Sequence, residues 1–182
     1  MIINGDFWDG YITTFDKFVK SKWKKLFPML RSKKTVYIYG NHDSKKLSDV
    51  RVKLFSVFQG YNYEFKSGKV NLAIEHGHKI IPVFDEMIPK IVLNIIALIH
   101  RTVRRLQYRF NPGSLLSYYK RLNRYYRSHA NNLNNQILVV GHTYGASLNL
   151  DERIVNSGFI QWGYGSYLII ENGKITLQIE DY

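Results

Sequence analysis

Residues 35–43 read Thr-Val-Tyr-Ile-Tyr-Gly-Asn-His-Asp, a short apolar run followed by a polar loop. The run from 35 to 39 predicts a buried strand, because β-branched and aromatic residues fit the pleated surface of a sheet. Gly40 permits a tight turn after the strand, and Asn41, His42 and Asp43 follow it directly. Polar side chains in loops that a rigid sheet holds at its strand ends are often functional. The stretch therefore predicts a sheet with a functional site at its strand ends.

The same arrangement recurs at three other places in the chain. Met1–Ile3 leads into Gly5-Asp6, Val70–Glu75 into His76-Gly77-His78, and Gln136–Val140 into Gly141-His142. Four of the six histidines lie in these four loops, which is too many to attribute to chance. Aspartate, asparagine and histidine provide oxygen and imidazole ligands, a mixture that suits Mn, Fe, Zn or Ni. The four loops therefore predict a shared metal site.

Periodicity and turn signals predict the elements between these loops. Thr14 is expected to cap a helix that runs to about Arg31, and residues 47–58 are expected to form another helix. Residues 61–65 and 70–75 are expected to pair as two strands, and Asn172-Gly173 predicts a type I′ turn in a C-terminal hairpin. Strands mixed with helices predict one α/β, sandwich-like domain.

A two-helix insertion is expected within that domain, at about residues 87–130. Apolar residues from Ile88 to Phe110 recur every three or four positions, which is one face of a helix. Asp85 and Glu86 suit the positive end of this helix, and Ser114 is expected to cap the second one. The apolar face has two interpretations: it packs against the rest of the domain, or it lies at a lipid interface.

The charge of the chain is concentrated in the same region. The formal net charge is +12, and no Asp or Glu occurs between Met87 and Leu150. A field of one sign attracts anions, such as phosphorylated substrates, nucleic acid or an acidic membrane surface. A solvated basic face with no partner is the alternative.

Other features bound the class of protein. The chain has no cysteine, which excludes disulfides and thiolate metal sites. No signal peptide is recognisable, and the apolar run 91–99 is too short to span a membrane. These features predict a single cytoplasmic domain covering residues 1–182.

The motifs, in their order, resemble those of the calcineurin-like metallophosphoesterases. The matching stretches are Asn-Gly-Asp-Phe-Trp-Asp-Gly at 4–10, Gly-Asn-His-Asp at 40–43, His-Gly-His at 76–78 and Gly-His-Thr at 141–143. The resemblance covers nearly the whole chain. It implies a β-sandwich flanked by helices and a hydrolase that depends on divalent metals, with Mn expected first and Fe, Zn, Ni or Mg as alternatives.

The resemblance also implies roles for individual residues. Metal ligands are expected at four positions, with Asp6 bridging two metals in the family: Asp6, Asn41, His76 and His142. His42 is expected beside the phosphate as a charge stabiliser and leaving-group acid, with Asp43 orienting it. Three further residues are expected to support the site without binding the metal, although His78 has an equal claim to be an ordinary loop residue: Asp9, His78 and Tyr144.

Two departures from the family concern the first of its two metals. The family carries an Asp-x-His motif on a strand before Gly-Asp, whereas this sequence starts five residues before Asp6. The family's last motif is Gly-His-x-His, and Tyr144 stands at its final position. Two explanations remain open: the natural start lies upstream of Met1, or the first metal site has been lost. Either predicts an impaired hydrolase in this form, with one of the two metal sites, that of the first metal, incomplete.

The position of the insertion is similar to that in the UDP-2,3-diacylglucosamine hydrolases of lipid A biosynthesis, although His-Gly-His replaces their His-Gly-Asp. That layout implies a nucleotide-linked, lipid-like pyrophosphate substrate and peripheral contact with the inner membrane face. Four arginines are expected to form the anionic contact surface: Arg101, Arg104, Arg105 and Arg109.

Two other functions remain open. Aromatic and basic residues interleave at 118–127, which suits a nucleic-acid phosphodiesterase or binder, although no dedicated motif is present. A non-catalytic, metal-binding scaffold of the same fold is the third hypothesis.

Overall fold

The computed structural model describes residues 1–81 and 89–182, and it confirms the α/β class. The strands are β1 Ile2–Asn4, β2 Val36–Ile38, β3 Phe58–Gly60, β4 Asn62–Ser67, β5 Val70–Glu75, β6 Ile137–Val140, β7 Ser147–Asn149, β8 Ile154–Asn156, β9 Ile160–Gln161, β10 Tyr164–Glu171 and β11 Lys174–Asp181. The α-helices are α1 Phe15–Lys20, α2 Phe27–Ser32, α3 Lys90–Phe110, α4 Pro112–Leu122 and α5 Arg127–Asn131.

The strands form three sheets. The first has the order β1-β2-β3 and is parallel throughout. The second has the order β4-β5-β6-β8-β7, with a parallel centre formed by β5, β6 and β8. The third has the order β11-β10-β9 and is antiparallel. The parallel strands of the first two sheets position the polar loops of the sequence motifs, because these loops follow the carboxyl ends of the strands.

Side chains from all three sheets share one apolar core. Ile38 of β2 packs in the same buried cluster as Leu72 of β5, Val139 of β6, Val155 of β8 and Ile175 of β11. Burial of such aliphatic side chains contributes about 1.5–3 kcal/mol each. The expected sandwich-like packing of sheets is therefore present, and it fixes the strand ends relative to one another.

An aromatic cluster supports the first sheet on its other side. Phe55 is fully buried, and its ring centroid lies 5.3 Å from Phe7, 5.2 Å from Phe27 and 5.2 Å from Tyr37. Most of these contacts are edge-to-face, an arrangement that adds about 0.5–1.5 kcal/mol per pair to the burial of area. The cluster anchors the loop after β1, which includes Phe7 and the neighbouring Asp6.

The helix expected from Thr14 to Arg31 is divided into three short helices. Thr14 caps α1 as predicted, since its side chain accepts a hydrogen bond from the Lys17 amide. Ser21 ends α1, because its hydroxyl donates to the Phe18 carbonyl and accepts from the Trp23 amide. A 3-10 helix, Lys22–Leu26, separates α1 from α2. The local hydrogen bonds of Ser21 compete with the helix, an effect that the apolar periodicity does not reveal.

The prediction of a helix over residues 47–58 is wrong. Two 3-10 helices, Lys45–Leu47 and Val50–Leu54, cover half of this stretch. The Asp49 side chain accepts from the Arg51 amide and begins the second of them. Phe58 starts β3, which pairs in parallel with β2. Pairing with the neighbouring strand outweighs the weak helical pattern, because a strand at that position completes a three-stranded sheet.

The helical insertion is present, with a different cap on its second helix. Asn111, rather than Ser114, caps α4, because the Asn111 side chain accepts from the Ser114 amide. The expected beginning of the first helix at Ile88, and the expected roles of Asp85 and Glu86, lie outside the described residues. The apolar face of α3 is not covered by the rest of the chain that the structure describes: Ile91 is 76% exposed and Phe110 is 79% exposed.

The C-terminal hairpin forms as predicted. Strands β10 and β11 pair over eight residues each, and Asn172 and Gly173 connect them with φ angles of 50° and 85°. Positive φ at both central positions is the type I′ geometry, whose twist matches that of the flanking strands. Helices with the length and apolarity to cross a bilayer are absent from the part of the chain described here.

Candidate metal centre

The loops after β1, β5 and β6 bring three candidate ligands together. One ligand atom from each of Asp6, His76 and His142 lies within 4.8 Å of the others. The convergence follows from topology, because β5 and β6 are parallel neighbours and the backbone amide of His142 donates to the His76 carbonyl at 2.9 Å. Among residues 1–81 and 89–182, this is the one cluster of three such groups.

The unprotonated nitrogen of the His76 ring is directed at the carboxylate of Asp6. Its Nδ1 lies 2.7 Å from the carbonyl oxygen of Asn4, which can only accept, so Nδ1 carries the proton. In the neutral ring Nε2 is then an acceptor, and it lies 3.2 Å from Asp6 Oδ2 without a hydrogen bond of acceptable geometry. A buried carboxylate oxygen and a buried imidazole nitrogen that face each other need a cation between them, either a proton or a metal ion. The pair therefore fits a metal site, with Asn4 fixing the tautomer.

His142 completes the cluster as a neutral imidazole. Burial, together with the neighbouring His76, lowers the pKa of His142 to about 4. The ring centroids of the two histidines lie 5.2 Å apart. A histidine that stays neutral keeps its lone pair for a metal, since only the deprotonated nitrogen can act as a ligand.

Two glycines allow this close packing. A Cβ atom at Gly5 would collide with the His76 ring, and a Cβ at Gly40 would collide with the Asp6 carboxylate. Gly5 also has a φ of 80°, a conformation that side chains disfavour. The glycines of the sequence motifs are thus explained by the approach of one loop to another.

The carboxylate of Asp6 is the electrostatic centre of the site. Burial would raise its pKa, and burial also opposes a charged His76 ring. Without a metal, however, the Asp6 charge raises the pKa of His76, so that a proton lies between the pair. The positive charges of His76 and His42 then outweigh burial and lower the pKa of Asp6 below its usual range. Its second oxygen, Oδ1, accepts a hydrogen bond from the His42 amide at 3.1 Å. Asp6 is therefore ionised and held in place, as a metal ligand has to be.

Asn41 lies at the same strand ends, beside Tyr11. Its Nδ2 donates to the Tyr11 hydroxyl at 3.4 Å, and that hydroxyl donates to the Asn41 carbonyl at 3.2 Å. These contacts use the amide nitrogen of the side chain and assign Oδ1 as the oxygen that a metal would use. The position of Asn41 as a fourth ligand stays a prediction.

His42 has a carboxylate partner, but it is not the expected one. His42 Nδ1 lies 3.2 Å from Asp9 Oδ1, and the ring lies against Tyr11 at a centroid distance of 4.4 Å. Burial opposes the charged ring, yet the charge of Asp6 and the contact with Asp9 raise the pKa of His42 to about 9. His42 is therefore an imidazolium at neutral pH, which suits a group that donates a proton or stabilises negative charge.

Asp43 shapes the loop rather than orienting His42. Its fully buried carboxylate accepts from the Phe7 amide at 2.7 Å, the Gly40 amide at 2.7 Å and the Tyr37 hydroxyl at 2.6 Å. The expectation that Asp43 orients His42 is thus corrected, because its oxygens are directed at backbone donors on two loops. Burial, followed by repulsion from Asp6, raises the pKa of Asp43 to about 6.

Tyr144 lies in an aromatic cluster at the rim of the site. Its ring centroid is 5.5 Å from Tyr119 and 5.6 Å from Phe159. Burial, with the negative charge of Asp6, raises the pKa of Tyr144 well above its usual value. The neutral phenol is a poor metal ligand, so the position does not replace the family's histidine.

His78 lies farther from the centre than His76. Its ring centroid is 5.5 Å from that of His76 and 6.4 Å from that of His142. It is not part of the three-residue cluster described above. The structure thus places His78 beside the site, as a neighbour of the candidate ligands.

The four arginines of α3 do not form one surface. Arg104 turns towards α4, where its guanidinium lies 5.2 Å from the ring of Tyr118 and 5.6 Å from that of Tyr119. Arg101, Arg105 and Arg109 are exposed. Cation–π contacts therefore hold the Arg104 side chain against α4, whereas the other three arginine side chains face solvent.

The sequence motifs did not reveal two supporting residues. Tyr11 contacts both Asn41 and His42, and its only signal is its place directly after Asp-Gly. Asn123 lies in the insertion, yet it holds the loop that follows His142. Its Nδ2 donates to the Gly145 carbonyl at 2.7 Å, and its Oδ1 accepts from the Thr143 hydroxyl at 2.7 Å. An isolated asparagine in a helical stretch gives no sequence signal of such a role.

Comparison with known proteins gives little guidance. The chain matches no protein-family profile and no curated protein. Among solved structures it is similar to vacuolar protein sorting 29 from Cryptosporidium parvum, with 15% identity, a TM-score of 0.40, and coverage of 100% of this chain and 95% of that one. A likeness this distant assigns neither a family nor an activity.

Proposed function

We propose that the chain is a metal-dependent hydrolase of phosphoesters or pyrophosphates, of the calcineurin-like metallophosphoesterase type. The observation that carries the proposal is the pair formed by Asp6 Oδ2 and His76 Nε2. These buried atoms lie 3.2 Å apart, and Asn4 fixes the ring so that a lone pair faces the carboxylate. His142 lies in the same cluster as the pair, and the motifs of the resemblance, with Asn41 in the loop after β2, occur in the family's order.

Each residue of the candidate site has its own role in the proposed reaction. Asp6, Asn41, His76 and His142 would hold a divalent ion, for which Mn is the first choice. A bound ion would supply Lewis-acid polarisation of a phosphoryl oxygen. His42 is held by Asp9 through Nδ1, which leaves the proton on Nε2 for the departing oxygen of the substrate. Asp43 holds the loop of Asp6 against the loop of His42, because its carboxylate accepts hydrogen bonds from the Phe7 and Gly40 amides.

The cavity of the insertion supports the proposed substrate class. A cavity of about 610 Å³ lies between α3 and α4, with Val103, Leu106 and Phe110 among its apolar walls. Arg104 and Arg121 line the same cavity. A substrate with an apolar part and a phosphate, such as a nucleotide-linked lipid, suits this combination. Peripheral contact of α3 with an anionic membrane belongs to the same proposal.

Hydrolysis of a generic phosphodiester with added Mn²⁺ tests the activity. His42→Ala is expected to lower kcat by about a hundredfold or more, because general acid catalysis contributes about 10²–10⁴-fold. His129→Ala is the matched control, since His129 is paired with Glu75 outside the candidate site. Equal rates for these two variants, or turnover that persists after chelation, would contradict the proposal.

A non-catalytic metal-binding scaffold is the second candidate. Tyr144 favours it, because a neutral phenol occupies the place where the family has a histidine for its first metal. One metal without turnover is the expected result for a scaffold. Metal binding by calorimetry, measured beside the hydrolysis assay on the same preparation, distinguishes a scaffold from a hydrolase.

A further inference from the structure

A second polar cavity is lined by Asn123, whose side chain also contacts the loop that follows His142. It measures about 300 Å³ and opens between the end of α4 and strand β7. Strand β7 is an edge strand, because it pairs only with β8 in its sheet. Four cations and one carboxylate are among the residues that line the cavity: Lys120, Arg121, Arg124, Arg127 and Glu152.

Most of the positive charge around this cavity is unneutralised. Glu152 pairs with Arg127 at 2.7 Å. Within residues 1–81 and 89–182, Lys120, Arg121 and Arg124 form no ion pair with a carboxylate. Cations held around one cavity repel one another, and an anion between them removes that repulsion.

Hydrogen-bond donors face the same space from strand β7. Ser147 Oγ accepts from Asn123 Nδ2 at 2.7 Å, so the Ser147 hydroxyl keeps its own proton to donate. Asn149 Oδ1 accepts from the Glu152 amide at 3.1 Å, which leaves Asn149 Nδ2 as a donor. Both oxygens are thus already used as acceptors. The cavity therefore presents donors and cations, and these groups recognise the oxygens of an anion.

The floor of the cavity is rigid. Asn123 lines it, and both atoms of the Asn123 carboxamide are engaged with the loop after β6. Asn156 also donates to Asn123 Oδ1, at 2.8 Å. A ligand in the cavity is thus bound by the surrounding cations and by Ser147 and Asn149, against a floor that also supports the loop of His142.

We propose that this cavity binds a phosphate-class anion, separately from the metal centre. Arginine forks suit tetrahedral oxyanions, since each fork offers parallel N–H donors. The ligand class is inorganic phosphate or pyrophosphate, or the same group on a small molecule. This site does not require a metal. Arg121 lines both this cavity and the one between α3 and α4, whereas Lys120 and Arg124 line this cavity.

Calorimetric titration of the metal-free full chain with phosphate and with pyrophosphate tests the site. Lys120→Ala/Arg124→Ala is expected to weaken binding by about tenfold or more, because charge-assisted hydrogen bonds are removed and both residues line this cavity rather than the one between α3 and α4. Arg101→Ala/Arg105→Ala removes the same charge from α3, outside the cavity, and is expected to leave the affinity unchanged. His42→Ala is also expected to leave it unchanged, since that side chain belongs to the metal centre.

Several outcomes would overturn the proposal. They are the absence of binding to either anion, an equal loss in the two double variants, and a loss caused by His42→Ala. Tighter binding of single-stranded RNA, with a steep salt dependence in both double variants, would instead identify a nucleic-acid surface. If the first double variant does not fold, Ser147→Ala is the deciding variant, because it keeps every cation. An unchanged affinity of this variant for phosphate would contradict the proposed site.

Discussion

The candidate metal centre and the helical insertion are built in opposite ways. At the metal centre, His76 is 2% exposed and the supporting Phe55 is fully buried. In the insertion, Ile91 and Phe110 of α3 are more than three-quarters exposed. Packing between sheets fixes the atoms of the first region, as a preorganised site needs. The second region leaves apolar and cationic surface available to ligands, so the two regions respond differently to the same kind of substitution.

The largest difference in stability between the two regions is expected when one phenylalanine in each is replaced by alanine. Phe55→Ala removes the centre of the aromatic cluster and is expected to lower the free energy of unfolding by about 3–5 kcal/mol. Phe110→Ala removes an exposed ring and is expected to change it by less than about 0.5 kcal/mol. Urea denaturation of both variants measures the contrast. Similar losses for the two would mean that the end of α3 is covered in the folded protein.

Substitution of a ligand sharpens the assignment of the metal centre. Asp6→Asn keeps the shape of the side chain but removes its charge. It is expected to weaken Mn²⁺ binding by more than about a hundredfold, since even supporting residues of metal sites contribute 10–100-fold. Asp16→Asn is the control, because that exposed carboxylate pairs with Lys20 and Arg51 and is not part of the candidate ligand cluster. Equal Mn²⁺ affinities in calorimetry would remove Asp6 from the ligand set.

One contact between the two regions runs through Asn123. Asn123→Ala removes hydrogen bonds to the Gly145 carbonyl, Ser147 and Thr143, and is expected to cost about 1–3 kcal/mol of stability. Asn134→Ala, at an exposed position, is expected to change stability by less than about 0.5 kcal/mol. Thermal denaturation compares them. If both variants melt like the unmodified chain, the insertion and the His142 loop are not coupled through this side chain.

The smallest change in stability is expected at a glycine of the insertion, and there the substitution is expected to stabilise the protein. Gly113 lies in the first turn of α4, and a Cβ there would meet nothing within 4 Å. Gly113→Ala is therefore expected to stabilise the protein by about 0.5–1 kcal/mol, through the lower conformational entropy of the unfolded chain. Gly145→Ala is its counterpart, since a Cβ there would collide with the Tyr119 backbone, and it is expected to destabilise. A loss of stability in Gly113→Ala would show that α4 begins differently.

The sequence predicted the convergence of Asp6, His76 and His142 better than the elements around them. The four strand-end loops were recognisable because glycine, aspartate and histidine recur there in fixed order, and topology then brings Asp6, His76 and His142 together. The helix predicted over residues 47–58 failed, because its weak pattern did not include the pairing of Phe58–Gly60 with β2. Strands β7, β8 and β9 gave no clear signal, since they have only two or three residues each.

What the sequence determined by itself was the chemistry: the identity of the candidate ligands, the turn at Asn172-Gly173, and the separation of basic from acidic residues. Only the tertiary structure decided the partners. It gave His42 the carboxylate of Asp9 instead of Asp43, and it gave the His142 loop a support from Asn123. The physical reason is that residue types and short periodicities are local, whereas hydrogen bonds between loops depend on how sheets and helices pack over long separations in the chain.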